Sequence, residues 1–118
     1  MSKRILIVDD EKNIRLTIQL SLQSMDLTVD QAISGEEALE RLVMYPYDLV
    51  LLDLKLPGMS GLDVMEKLAE LGINARVVII SAHGTIDLAV KALKAKALDF
   101  IEKPFSPEEI RKIVAKYA

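Results

Sequence analysis

Two kinds of apolar spacing take turns along the chain. Three short runs are continuously apolar: Ile5-Leu6-Ile7-Val8, Leu49-Val50-Leu51-Leu52 and Val77-Val78-Ile79-Ile80. A half-exposed strand would alternate with polar residues, whereas unbroken runs of this length mark strands covered on both faces, as in parallel sheets. Two weaker strand candidates lie at 28–33 and 97–101. The intervening segments carry apolar residues at helical spacing. The first helix opens at Asp10 or Glu11 and presents Ile14, Ile18 and Leu22. The second is capped by Ser34, with Glu37 placed as a capping-box partner, and turns Ala38, Leu39, Leu42 and Val43 inward. The third covers 60–70, with Leu62, Met65, Leu68 and Ala69 inward, and Gly72 stops it. The fourth covers 85–96. The fifth begins at Ser106, followed by Pro107 at the first helical position, with Ile110, Ile113 and Val114 on its apolar side.

Five strands alternating with five helices predict an α/β protein with a doubly wound, mostly parallel sheet. The whole span, 1–118, is expected to form one domain, because it shows no linker, repeat or low-complexity stretch. Half of the residues are apolar, enough for a real core. The formal charge of −3 and the lack of a basic stripe argue against direct nucleic-acid binding by this chain. With no cysteine, disulfides, thiolate catalysis and cysteine-ligated metals are excluded. No signal-peptide core or membrane-length apolar run occurs, so a cytoplasmic location and no membrane partner are expected.

In doubly wound sheets, ligands bind beyond the carboxyl ends of the strands. Those ends are Asp9-Asp10 after the first strand, Asp53 after the third, Ser81-Ala82 after the fourth and Lys103-Pro104 after the fifth. Three carboxylates brought together repel one another, and a hard divalent cation such as Mg2+ compensates them. Lys103 would add a positive charge from the far side. Asp53 is then a carboxylate nucleophile for a phosphoryl group. The metal and Lys103 would neutralise the transferring oxygens, the Ser81 hydroxyl would bond one of them, and backbone N–H groups around Lys55 and Ala82 would complete the cradle. The product, an acyl phosphate, is labile and suits a temporary signal. Each residue alone has a plainer reading. Acids suit helix starts, so Asp9-Asp10 taken alone is as readily a cap. Asp53 could begin a turn with Pro57-Gly58, Ser81 could be a cap, and Lys103 a solvated lysine. Their order at four strand ends of one sheet is what points to a site.

Those residues lie in Ile5-Leu6-Ile7-Val8-Asp9-Asp10-Glu11, Leu51-Leu52-Asp53-Leu54-Lys55-Leu56-Pro57-Gly58-Met59-Ser60-Gly61, Ser81-Ala82-His83-Gly84 and Lys103-Pro104-Phe105. With these segments the chain resembles, over essentially its whole length, the receiver domains of bacterial two-component response regulators. The resemblance implies a flavodoxin- and CheY-like fold with strand order 2-1-3-4-5, and a signalling domain rather than an enzyme. It implies phosphotransfer from the phosphohistidine of a sensor histidine kinase to Asp53. It also implies Mg2+ held by Asp10, Asp53 and the backbone carbonyl of Lys55, with Asp9 acting through water. A cis Lys103–Pro104 peptide and a coupled switch of Ser81 and Phe100 belong to the same resemblance.

The stretches Ser81-Ala82-His83-Gly84-Thr85-Ile86-Asp87 and Asp99-Phe100-Ile101-Glu102-Lys103-Pro104-Phe105 are similar to receivers of the NtrC class. Those precede an ATPase and a DNA-binding output module, neither of which is in this chain, and the implied output is transcription regulation. A stand-alone receiver acting in a phosphorelay is the alternative. Lys96 departs from the family's usual glycine and Leu98 from an aromatic common in the class. The implied output face is helix four, strand five and helix five. Ile86, Ala89, Val90 and Leu93 cannot all face the core from one helix, so some are expected to be exposed and to offer a homodimer surface. His83, at the crevice rim, reads as a solvated loop residue. Three rival functions are weaker. A haloacid-dehalogenase-like enzyme places its nucleophile after the first strand. A nucleotide- or flavin-binding module lacks its glycine-rich or Walker loop here. A purely interacting pseudo-receiver would not need Asp9, Asp10, Asp53, Ser81 and Lys103 together.

Overall fold

The computed structural model describes residues 2–82 and 86–118, and within them a five-stranded sheet with helices on both faces. The elements are β1 (Lys3–Val8), α1 (Lys12–Leu22), β2 (Leu27–Ala32), α2 (Gly35–Met44), β3 (Leu49–Asp53), α3 (Gly61–Glu70), β4 (Val77–Ser81), α4 (Ile86–Lys94), β5 (Asp99–Glu102) and α5 (Pro107–Tyr117). All neighbouring strands are parallel, in the order β2-β1-β3-β4-β5. The α/β fold and the 2-1-3-4-5 order are those expected from the sequence.

The continuous apolar runs are explained by the two layers of core. Alternate strand residues point to opposite faces. Ile5 and Ile7, Leu49 and Leu51, Val78 and Ile80, and Ile101 pack with Ile18, Leu22, Ile110 and Val114 of α1 and α5. Leu6 and Val8, Val50 and Leu52, and Val77 and Ile79 pack with residues of α2, α3 and α4 on the other face. Phe100 joins that second layer, half-buried.

Several local expectations are refined. Of the two residues expected to open α1, Glu11 is the N-cap, in extended conformation and without a side-chain cap bond, and Asp10 is not. Ser34 accepts from Glu37 N at 3.1 Å as expected, but the Glu37 carboxylate reaches back to Ile33 N, at 3.3 Å, instead of closing the box on Ser34. Full capping boxes form at Ser60 with Asp63 and at Ser106 with Glu109. Val43 and Ala69 point outward, while Val64 is fully buried. The expected start of the fourth helix at Thr85, the loop residue His83 and the exposure of Ile86 lie outside the described residues.

Helices α3 and α4 end in the same way. Gly72 N bonds to Ala69 O and Ile73 N to Leu68 O; Lys96 N bonds to Leu93 O and Ala97 N to Ala92 O. Both are Schellman closures, which need one left-handed residue. In the first that residue is Gly72, with φ +70°; in the second it is Lys96, with φ +78°. Left-handed backbone costs an L side chain roughly 1–2 kcal/mol, partly offset by the greater freedom glycine has when unfolded. Lys96→Gly is therefore expected to stabilise the chain by about 1 kcal/mol, read as a higher urea midpoint with an unchanged slope.

Candidate functional site

The register of the parallel ladder gathers the strand ends. Val8 pairs with Leu52 and Asp53 with Ile80, so Asp9 emerges level with Asp53 on the neighbouring strand. Ser81 pairs with Glu102, and Lys103 N continues that ladder by donating to Ser81 O at 2.7 Å. The Lys103–Pro104 peptide is cis. Behind β3, Gly61 lets α3 start directly beneath the strand end: a Cβ there would stand 2.4 Å from the carbonyl oxygen of Asp53. Only glycine permits that approach without moving the backbone that carries the Asp53 side chain.

Asp9 is completely buried and Asp53 is 3% exposed, whereas Asp10 lies open to solvent. One carboxylate oxygen from each of the three can be chosen so that all lie within 4.8 Å of one another. Asp9 Oδ1 accepts from Glu11 N at 2.9 Å, and Asp53 Oδ1 accepts from Lys55 N at 3.2 Å. Lys103 does not face the acids from the far side. Its Nζ sits between two of them, 2.8 Å from Asp9 Oδ2 and 3.2 Å from Asp53 Oδ2. Ser81 is buried, and its hydroxyl turns toward the carbonyl oxygen of Ala82 in a long contact of 3.4 Å.

The charges are unbalanced. Burial, and then the negative charge of Asp9, push the Asp53 carboxyl up to about 6, against the opposing pull of Lys103 and the Lys55 N–H. Burial by itself would lower the Lys103 ammonium, but its bond to Asp9 and the charges of Asp53 and Asp9 outweigh that and raise it. With all groups ionised, three carboxylates face one ammonium. Asp9 Oδ2 is buried, and its close charged neighbour is the Lys103 ammonium, 2.8 Å away. A hard, oxygen-seeking cation suits such an all-carboxylate donor set, whose shortfall is two positive charges.

One residue at this site was not singled out from the sequence. Arg15, in the first turn of α1, donates from Nη1 to the backbone carbonyl of Asp9 at 2.9 Å. Its spacing, six residues after Asp9, places it on the inner side of α1 next to Ile14 and Ile18, the only signal that pointed to it. Among the described residues no helix is long and apolar enough to cross a membrane.

Comparison with known proteins agrees with this arrangement. Residues 5–115 match the family model of the response regulator receiver domain. The chain is 40% identical over 113 residues to the response regulator protein PilR of Pseudomonas aeruginosa, covering 96% of this chain but 25% of that protein. It is 37% identical to sporulation initiation phosphotransferase F of Bacillus subtilis, covering 99% of this chain and 94% of that one. Among solved structures, the receiver domain of NtrX from Brucella abortus superposes with a TM-score of 0.89 at 33% identity, covering 96% of both chains. A signal receiver domain from Vibrio parahaemolyticus superposes at 0.93 with 31% identity, covering 99% of this chain and 90% of that one. This chain thus spans a quarter of one relative and nearly all of another. With its parallel 2-1-3-4-5 sheet and an acidic cluster at the strand ends, the chain belongs to the response regulator receiver domain family, the signal-receiving phosphoacceptor domains of two-component systems.

Proposed function

We propose that Asp53 is the phosphoacceptor of this chain and that a sensor histidine kinase donates the phosphoryl group from its phosphohistidine. The observation that carries this reading is the placement of the Asp53 carboxylate between the Lys103 ammonium and the Lys55 N–H, beside Asp9 and Asp10. Asp10, Asp53 and the Lys55 backbone carbonyl would hold Mg2+, with Asp9 acting through water. When bound, the ion neutralises charge on the phosphoryl oxygens. Asp53 attacks through one carboxylate oxygen, forming the acyl phosphate while the bond to the kinase imidazole breaks. Lys103 holds its charge against the incoming oxygens, and Ser81 can rotate from the Ala82 carbonyl to donate to one of them. Phe100, half-buried on β5, would follow that rotation as a steric switch by population shift.

We place the chain with the NtrC class and its output in transcription regulation. The similar segments around Ser81 and Asp99, and the likeness to PilR and to NtrX, support this. The near-complete coverage of sporulation initiation phosphotransferase F favours a second reading, a stand-alone receiver passing phosphate along a relay. Val90 (45%), Leu93 (39%) and Leu98 (36%) are exposed at α4 and before β5, while Ala89 is buried. That strip suits a homodimer through α4, β5 and α5.

Incubation with acetyl phosphate and Mg2+, followed by peptide mapping and sedimentation, tests the reading. One labelled residue, Asp53, is expected, with heavier sedimentation of the labelled chain. Label on Asp9 instead would overturn the assignment in favour of dehalogenase-like chemistry, and unchanged sedimentation would remove the dimer.

A further inference from the structure

The Asp9–Asp10 peptide is held from more sides than a strand end requires. Asp9 N donates to Ala32 O at 3.2 Å, the last rung toward β2. Asp9 Oδ1 takes the Glu11 N–H. Asp9 Oδ2 pairs with Lys103, and the backbone carbonyl accepts from Arg15 Nη1 at 2.9 Å. Arg15 is itself aimed: its Nε donates to Gln31 Oε1 of β2 at 3.1 Å, and the Gln31 amide donates onward to Gln19 Oε1, one turn beyond Arg15 in α1. Arg15 and Gln31 are both half-buried. A fork held at two nitrogens fixes a direction, which a lysine's point charge does not.

The peptide whose carbonyl Arg15 grips leads straight into Asp10. Among the described residues the Asp10 carboxylate makes no hydrogen bond, and it is the exposed member of the acidic cluster. No hydrogen bond at its own side chain holds it, so the backbone that carries it is what the protein can use to place it. We propose that Arg15, steadied by Gln31 and Gln19, is a positioning residue that orients the Asp9–Asp10 peptide and so holds Asp10 for the cation. The proposal rests on the reading of Asp9, Asp10 and Asp53 as a cation site. Arg15 touches neither the cation nor the phosphoryl group. It acts through the backbone of the acid pair, so its loss should weaken Mg2+ binding more than it weakens the fold.

The test is a Mg2+ titration of the chain by NMR, with the Asp9 carbonyl carbon and Asp10 amide shifts recorded before any metal is added and the melting temperature measured in parallel. The variants are Arg15→Ala, Arg15→Lys and Gln31→Leu, the last leaving the Arg15 charge in place but removing the acceptor that aims it. In Arg15→Ala the metal-free shifts of Asp9 and Asp10 should move and the Mg2+ dissociation constant should rise about tenfold. Arg15→Lys should recover only part of that, and Gln31→Leu should show a smaller rise of about threefold with the fold intact. If Arg15→Ala does not fold, Gln31→Leu and Arg15→Lys decide alone. Mg2+ affinity within twofold of the parent in folded variants, or a lowered melting temperature with unmoved Asp9 and Asp10 shifts, overturns the positioning role. Absence of Mg2+ binding by the parent chain overturns the cation reading instead; the metal-free shifts then still decide whether Arg15 sets the peptide.

Discussion

Asp53→Asn is expected to abolish phosphoryl transfer to this chain and at the same time to make it more stable at neutral pH. The loss follows from removing the nucleophilic oxygen; the amide that replaces it keeps the shape but has a single acceptor oxygen, so, like the protonated acid, it can accept from Lys55 N or from Lys103 Nζ and not from both. The gain follows from the direction of the Asp53 shift. Its carboxyl is raised from 3.8 to about 6 in the fold, chiefly by burial and then by Asp9. A raised folded pKa means that the folded state holds the proton more tightly than the unfolded one. The associated stability is complete below pH 4 and is lost as the pH climbs through 6. Asparagine mimics the protonated form at every pH. The variant should therefore match the parent near pH 4 and exceed it by about 3 kcal/mol at pH 7.5, since the shift spans about two units and one pKa unit corresponds to about 1.4 kcal/mol. Urea unfolding at the two pH values, without divalent cation, measures the difference. A variant no more stable than the parent at pH 7.5 would show that Lys103 and the Lys55 N–H already compensate the ionised carboxylate. Mg2+ should narrow the gap, because it binds the parent's carboxylate and not the amide.

The sheet was legible because burial on two faces leaves a plain imprint: the three continuous runs became β1, β3 and β4 within a residue or two of their expected bounds. The edge strands were less so. β2 has every residue but Ala32 only partly covered, and β5 spans four residues. An edge strand covered on one side keeps polar residues such as Asp30 and Gln31, which blur the pattern. Two helix starts were read through Ser34 and Ser106, whose side chains cap by local geometry alone, and Ser60, expected only as the start of the third helix, caps it as well. Contacts that depend on tertiary approach stayed hidden. Arg4 lies near two tyrosine rings, 5.3 Å from the Tyr45 centroid and 5.9 Å from that of Tyr47, while the Tyr47 hydroxyl donates to Asp30. No spacing announces that three-segment cluster. The acidic site itself was foreseeable as a set of strand ends. What could not be foreseen was the place of Lys103 within it. Lys103 fits between Asp9 and Asp53 because the ladder from Ser81 O to Lys103 N brings it level with them.

That position of Lys103 leads to an expected result with opposite signs in two measurements. Lys103→Met keeps the aliphatic length but removes the ammonium that pairs with the carboxylates of both Asp9 and Asp53. Two buried carboxylates then face each other uncompensated. Breaking a buried pair from one side typically costs about 3–5 kcal/mol, and protonation of Asp53 relieves part of it, so a loss of about 3 kcal/mol is expected at pH 8. The sign with pH follows from the direction of the Asp53 shift. Lys103 is one of the influences holding that pKa down, so without it the pKa rises further above its unfolded value. The variant's deficit should therefore be small near pH 5, where the carboxyl takes up a proton, and should grow as the pH rises. Cation binding should move the other way. The ammonium competes with any divalent ion for the same oxygens, so its removal should tighten Mg2+ binding by about tenfold, equivalent to about 1.4 kcal/mol, and saturating Mg2+ should restore much of the lost stability. Phosphoryl transfer should nonetheless fall by at least a hundredfold, taking about 3 kcal/mol as the worth of one charged donor on the transferring oxygens. Stability, cation affinity and transfer thus separate in one variant. Unchanged or weaker Mg2+ binding in Lys103→Met would mean that the ammonium moves aside when the ion enters and does not compete for Asp9 and Asp53. Unchanged transfer would mean that its charge serves only to balance the carboxylates and takes no part in the reaction.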